Sequence, residues 1–433
     1  MSAADFLGLD DSRIARLLAP VSVEGADAAQ PSAPDALHRR FAVAAFSTLV
    51  EPGDADALTL LSAVGPTSAL RALVERHSAT QILDAARRAS PLLADRLESR
   101  IDDALARWTP RVSQLAVTRA LEAAAHLGAT LVTRGDALWP SGFSSLGDGE
   151  PLALWVRGDA QLLPILARSI ALVGARAASG YGEHVAMESA AELSDRGFAI
   201  TSGGAYGIDG AVHRAALASD QHTVAFLAGG VDRLYPSGHS DLLRRIADNG
   251  LLIAELPCGS PPTRWRFLQR NRLIAAASRA TVVVEAGARS GSLNTAGHAA
   301  TMGRPLGAVP GPVTSPASAG CHRLIREYDA VCVTNAAEMA ELAGPLGDET
   351  EGGTPAPADQ EGGGAQHRSS DDVRLLDALS ARVSRPVAEI AARSGMSERD
   401  VVARLGRLDL EGAVRETPEG WRTKATERRG GAR

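Results

Sequence analysis

The sequence predicts an α/β protein built on a doubly wound parallel sheet, with an all-helical domain before it and a winged helix after it. Three observations lead there. Short β-branched runs alternate with amphipathic helical segments through the middle of the 433-residue chain. Several of those runs end in glycine. Beyond a linker-like stretch the pattern becomes three short helices and a hairpin.

Residues 1–39 are rich in Ala, Pro and Asp with weak periodicity, and are expected to be a poorly ordered extension. From 40 to 128 the pattern is helical. Leu58, Leu61, Leu70 and Leu73, then Leu92, Leu93, Leu97, Ile101 and Leu105, recur at three- and four-residue steps. Gly65 and Pro66 separate two short helices within Ser62–Leu70. Such a break is either a plain bundle turn or a helix-hairpin-helix turn whose amides hold a phosphate.

The sheet domain is placed at 129–343. Its strand-like runs fall at 169–175, 198–204, 222–230, 251–256, 280–287, 305–311 and 330–333, with an amphipathic helix at 182–197. Repeated strand–helix–strand units give a parallel sheet covered on both faces. Gly174, Gly203, Gly204, Gly229, Gly230 and Gly287 follow the carboxyl ends of strands. Glycines there let a phosphate approach the backbone and the helix N-termini.

Residues 344–370 read as a flexible linker by their Gly, Pro and polar content. The winged helix is placed at 371–425, with a helix-to-helix turn at Ser394–Gly395 and a hairpin turning at Pro418–Gly420. A tail follows at 426–433. The second helix of the winged-helix module carries Arg399, Arg404 and Arg407 beside three acids, a mixture that suits a protein contact better than duplex DNA.

The net charge is −6, which argues against a uniformly basic nucleic-acid binder but leaves room for one basic groove. Lys424 is the only lysine among 45 Lys and Arg, so clustering of arginine is more informative than its abundance. The segment TRWRFLQRNR, Thr263–Arg272, concentrates Arg264, Arg266, Arg270 and Arg272 with Trp265 and Phe267 and has no acid. Guanidinium groups fork onto phosphate, and aromatic rings offer stacking surfaces to unpaired bases. A helix with a solvated arginine face and its aromatics in the core is the competing reading.

Cys258, Cys321 and Cys332 are far apart with no Cys-x-x-Cys pair, so neither a disulfide framework nor a zinc site is expected. His184, His298 and His322 have no metal-ligand spacing. The first residues lack the pattern of a signal peptide, and no apolar run reaches membrane-spanning length. A soluble cytoplasmic protein without a membrane partner, metal or cofactor is expected.

The middle of the chain resembles the DNA-processing protein A (DprA/Smf) family. The resemblance runs, in order, through IALVGARAASGYG (170–182), ITSGGAYGIDGAVHRAAL (200–217), AFLAGGVDRLYPSGHSDL (225–242), IAELPCGSPPTRWRFLQRNRLIAAAS (253–278), VVVEAGARSGSLNTAGHAATMGRP (282–305) and AVPGPVTSPASAGCHRLI (308–325). It implies an extended Rossmann-like fold, an N-terminal domain of the SAM or helix-hairpin-helix kind, and a C-terminal winged helix. It also implies a non-enzymatic homodimer that binds single-stranded DNA and loads RecA in natural transformation (competence) or DNA recombination. Single-strand-binding protein is a further implied partner. Carried onto matching positions, the implied DNA contacts are Gly174 and Arg176, Gly203 and Gly204, and Arg233. To these are added the Arg270–Asn271–Arg272 turn and Ser290, Gly291 and Ser292 at a helix start. The resemblance places dimerisation in the C-terminal half of this domain, and the candidate surface there is Ser318–Leu342, where Leu324, Ile325, Met339 and Leu342 either form the dimer contact or only close the monomer's core. Ala175, Tyr206, His322 and the Trp139–Pro140 pair depart from the usual family residues.

An enzyme is the alternative, as a Rossmann-type nucleotide N-glycosidase or phosphoribohydrolase. Its PGGxGTxxE signature is absent near Glu285. Asp209 and His213, one turn apart on a helix, read as structural, with no nucleophile beside them. The absence of G-x-G-x-x-G after the first parallel run, where GARAASG stands, excludes a dinucleotide-dependent oxidoreductase. No catalytic residue is assigned.

Overall fold

The computed structural model describes residues 6–23, 33–345 and 369–424. Most of the expected linker and the whole expected tail lie outside these residues. The N-terminal extension is not uniformly irregular: helix α1 (Asp11–Leu18) forms within it. Asp10 accepts from the Arg13 amide at the helix start, and Ile14, Leu17 and Leu18 are buried. An eight-residue helix gives too short a run for the periodicity to stand out, but one apolar face is enough to dock it.

The helical domain follows with α2 (Ala33–Leu49), α3 (Ala55–Val64), α4 (Pro66–Val74), α5 (Ala79–Ala89), α6 (Pro91–Glu98), α7 (Ile101–Trp108) and α8 (Gln114–His126). Asp54 caps α3 by accepting from the Asp56 and Ala57 amides, and it also takes the Trp108 indole N–H at 3.0 Å. Ser78 and Gln81 form a capping box on α5. Gly65 ends α3 and Pro66 begins α4, so the two helices meet at 109°. No single helix among the described residues is long and apolar enough to cross a membrane.

The next elements are β1 (Ala129–Thr133), β2 (Ala153–Gly158), β3 (Ser169–Gly174), α9 (Gly180–Asp195), β4 (Ala199–Ser202), α10 (Ile208–Ala218), β5 (Thr223–Phe226), α11 (Ser240–Asn249) and β6 (Leu251–Ala254). Then come α12 (Arg264–Ala277), β7 (Ala280–Glu285), α13 (Ser292–Thr301), β8 (Leu306–Ala308), α14 (Ala319–Glu327), β9 (Val331–Cys332) and α15 (Ala336–Ala343). The strands make one nine-stranded sheet in the order β1-β2-β6-β5-β4-β3-β7-β8-β9. The strands from β3 to β9 pair in parallel, and all seven expected runs supply one. The sequence reading missed β1 and β2, which extend the sheet antiparallel beside β6.

Alternation along β3 explains the two-faced core. Ile170 and Leu172 join Leu193 of α9, Val212 of α10 and Met339 of α15 on one face. Ala171 and Val173 join Leu273 of α12, Ala299 of α13 and Leu324 of α14 on the other. The helical domain is not a separate globule, because Leu131, Trp155 and Leu252 of the sheet share a core with Phe41, Leu60 and Leu70.

These packings correct the expected dimer surface. Leu324 and Met339 are buried inside the monomer, and Ile325 and Leu342 pack against the same two cores. Their apolar spacing is that of helices covering a sheet.

The winged helix comprises α16 (Ser370–Ala378), α17 (Val387–Ser394), α18 (Glu398–Leu410), β10 (Val414–Thr417) and β11 (Gly420–Thr423). Leu375, Ile390, Val401, Leu405, Leu408 and Val414 give it a core of its own.

Buried His213 and half-buried His298 give the fold a pH signature. Burial, with His239 and Arg270 nearby, holds the His213 ring down at about 3, while its Nδ1 lies 2.8 Å from Thr223 Oγ1. Burial holds His298 at about 4. Unfolded, both titrate near the ordinary 6.5. Between those limits the unfolded chain binds more protons than the folded one, so stability falls as the solution is acidified. Each histidine contributes a slope of about 1.4 kcal/mol per pH unit in its window. Urea midpoints should therefore decline from pH 6.5 to pH 4, and His213→Asn should flatten the decline; a midpoint independent of pH in that range contradicts this.

Candidate nucleic-acid interface

From β3 the chain winds outward through β4, β5 and β6, then returns to place β7 on the other side of β3. A crevice therefore opens at the carboxyl ends of β3 and β7, where this fold class receives ligands. The loops after β3, β4, β5, β6 and β7 all lie along that edge. They expose Arg176, Tyr206, Arg233, Tyr235, Arg264 and Arg289. Arg233 is tempered by Asp232, whose carboxylate lies 3.1 Å from its Nε.

The centre of this rim is half-buried Phe267, in the first two turns of α12. The exposed Arg176 guanidinium stands 5.1 Å from the centre of its ring. The Tyr235 ring, itself half exposed, lies 5.5 Å away at a tilt of 55°. An exposed guanidinium over a half-buried ring, with a half-exposed ring tilted beside it, puts one cation and the Tyr235 ring at the surface, while buried Arg270 lies 5.8 Å from the centre of the same Phe267 ring. Tyr206 adds a further exposed ring, braced edge-on by His239 at 4.8 Å.

The Arg270–Asn271–Arg272 run is placed differently from its reading as a phosphate-facing turn. It lies in the middle of α12, and all three side chains are buried. Arg270 reaches under the loop after β4 and donates to the Phe226 carbonyl at 2.8 Å. Gly203 makes room for it, since a Cβ there would sit 2.0 Å from Arg270 Nη1. Burial lowers the Arg270 guanidinium to about 10, with Asp209 opposing and Arg176 adding to the shift. Burial pushes the Asp209 carboxyl up, against the pull of Arg270 and the Ala205 amide that it accepts at 3.3 Å. Asn271 bonds Asn294 at 3.2 Å, and Arg272 bonds the Gly149 carbonyl at 3.0 Å and the Glu255 carboxylate at 2.7 Å. These three side chains fasten the loops that carry the rim. Arginine suits that work because its fork spans several carbonyl groups at once.

The other expected residues divide in the same way. Gly203 and Gly204 are buried, and Gly174 is half-buried at the crevice. Ser290 and Ser292 face each other, with their hydroxyls 2.7 Å apart, on either side of exposed Gly291 at the start of α13. Arg176 and Arg233 reach solvent. Glu285, the residue a hydrolase would need, receives the Ser179 amide at 2.8 Å and the Ser179 hydroxyl at 2.5 Å, which ties the loop after β3 to β7. Asp209 and His213 do not pair: the first holds the 205 amide and the second faces Thr223. Sequence reasoning did not name Tyr235 or Arg289, and it singled out the segment holding Arg264 and Phe267 without carrying those two residues into the site. The Tyr-Pro pair and the acid-free arginine segment were the available signals.

In the winged helix, Arg404 and Arg407 of α18 are ion-paired with Asp371 and Asp372 of α16. That leaves α18 poorly charged for a duplex, in keeping with its mixed sequence.

Fold and site together define a Rossmann-type α/β protein whose carboxyl edge carries exposed arginines and aromatic rings, flanked by a helical domain and a winged helix. The chain belongs to the DNA recombination-mediator protein A family, whose model matches residues 130–344; the DprA winged helix domain matches residues 354–420. A DNA processing protein DprA of Mycobacterium tuberculosis (strain CDC 1551 / Oshkosh) is 47% identical over 312 residues, covering 70% of this chain and 79% of the relative. Protein Smf of Escherichia coli K12 is 36% identical over 280 residues, covering 63% of this chain and 71% of Smf. The X-ray structure of DNA processing protein A from Streptococcus pneumoniae matches with a TM-score of 0.54 at 26% identity, covering 70% of this chain and 96% of that one. The chain's class of work is accordingly DNA processing and recombination.

Proposed function

We propose that this protein binds single-stranded DNA along the carboxyl edge of its sheet and hands it to RecA, acting as a homodimer without catalysis. The observation that carries the reading is the Arg176–Phe267–Tyr235 platform, an exposed cation over one ring with a second ring tilted beside it, in a chain of net charge −6. Unpaired bases offer faces to such rings whatever their sequence, and a flanking guanidinium takes the phosphates. Bases in a duplex are stacked on one another and cannot reach a ring at the crevice.

A mediator role accounts for the rest of the build. Binding by charge and stacking releases its strand as easily as it takes it, which suits transfer to a recombinase. Two grooves joined in a dimer raise avidity by effective concentration, so each can be short. Protection of incoming strands during natural transformation is the same activity exercised on a particular substrate, in the cytoplasm and alongside single-strand-binding protein. A hydrolytic reading is weakened by Glu285, both of whose oxygens are engaged by Ser179. The test is RecA filament assembly on strands coated with single-strand-binding protein. Adding the protein should shorten the lag, whereas an unchanged lag together with free base released from nucleoside monophosphates favours the hydrolase.

A further inference from the structure

The winged helix has its own core, yet it is docked on the start of α12, one turn from Phe267. Asp377 at the end of α16 accepts from the Trp265 amide at 2.7 Å. The Arg374 guanidinium of the same helix lies 5.4 Å from the centre of the Trp265 ring. Arg374 also donates to the Ser394 and Gly395 carbonyls, so the end of α17 is held with it. Gly395, at φ +67°, sits where a Cβ would come within 2.5 Å of Glu51 Cγ. Glu51 in turn is gripped by Arg266 of α12, at 2.9 and 3.0 Å, and by Arg111, at 2.9 Å. Burial alone would raise the Glu51 carboxyl, but Arg266, Arg111 and Arg374 hold it at about 2. All three domains therefore meet at the open end of α12.

The docking contacts are polar, and none of the winged helix's core residues is shared with the sheet domain. Interfaces of that kind open and close readily. Their chemistry is also informative. Residue 265 lies in the first turn, where no intrahelical carbonyl is available to its amide. An anion from another domain fills that vacancy, beside the exposed Arg264, which acts on Asp377 electrostatically. Phosphate oxygens satisfy the same donors. Arg264 and Phe267, three residues apart, share one side of α12, so a strand stacked on the Phe267 platform has Arg264 as its next cation.

We propose that the winged helix is a built-in competitor of single-stranded DNA, with Asp377 standing where a phosphate of the bound strand would sit, at the first turn of α12 beside Arg264. The proposal rests on the single-strand reading of the crevice. In the docked state the strand is confined to the platform; when α16 lifts away, the path lengthens by the first turn of α12 and by Trp265.

The experiment uses the full chain and a fluorescent oligo-dT. Asp377→Asn should tighten binding about threefold and the double variant Asp377→Ala/Arg374→Ala about tenfold, within the range of ordinary coupling between sites. In the wild-type protein, carbodiimide labelling of the Asp377 carboxyl should rise when oligo-dT is added, a readout that needs no variant to fold. Equal or weaker binding by both variants, with Asp377 labelling unmoved by DNA, overturns the competition while leaving the crevice as the binding site. No binding of oligo-dT by any form refutes the single-strand reading itself and this inference with it.

Discussion

Replacing Arg176 by glutamate is expected to weaken binding to an unstructured single strand by about a hundredfold at moderate salt, since it removes a phosphate contact and a partner of the stacking ring, then adds repulsion. Arg176→Ala should cost about tenfold and reduce the salt slope by roughly 0.7. Neither change should move the unfolding midpoint by much, because the Arg176 side chain is exposed and lies over the Phe267 ring. Fluorescence anisotropy across a salt series checks this. Binding within twofold of wild type for the glutamate variant would remove the platform from the account.

The second large effect falls on stability. Arg270→Ala should lower the free energy of unfolding by about 3 kcal/mol, because it leaves Asp209 buried without its nearest cation and empties the space under Gly203. Gly203→Val should do comparable damage from the other side, since its Cβ needs the volume the guanidinium fills. Urea unfolding separates this outcome from the first: Arg176 variants lose DNA and keep stability, while Arg270 variants lose stability first. An Arg270→Ala protein as stable as wild type would show that the buried side chain does not hold the loop.

That contrast marks the limit of what could be read in the sequence. The parallel strands were legible because Val, Ile and Ala runs buried on both faces have few competing explanations, and several ended at a glycine. The loops they lead to were legible for the same reason. The antiparallel strands β1 and β2 were not: ATLVT and ALWVRG are short, and β2, on which β1 pairs, joins the sheet through β6 nearly a hundred residues on. The acid-free run Thr263–Arg272 was recognised as important, but residue type alone does not separate a guanidinium facing a phosphate from one facing a carbonyl. Helical periodicity would have put Arg266 and Arg270 on one side of α12, away from Arg264. The space reserved at Gly203 shows itself only in three dimensions. Trp265 was similarly opaque, since its partners Arg374 and Asp377 lie more than a hundred residues downstream across the expected linker.

The central claim is that the carboxyl edge selects single strands through Arg176, Phe267 and their neighbours. The most direct measurement is a competition, with labelled oligo-dT bound to the full chain and challenged by unlabelled single-stranded or duplex DNA of the same length. The single strand should displace the probe at least tenfold more effectively than the duplex, and an Arg176→Ala/Arg233→Ala/Arg289→Ala protein, folded as wild type, should no longer hold the probe. Equal displacement by duplex, or a triple variant that still binds with wild-type affinity, would contradict the claim.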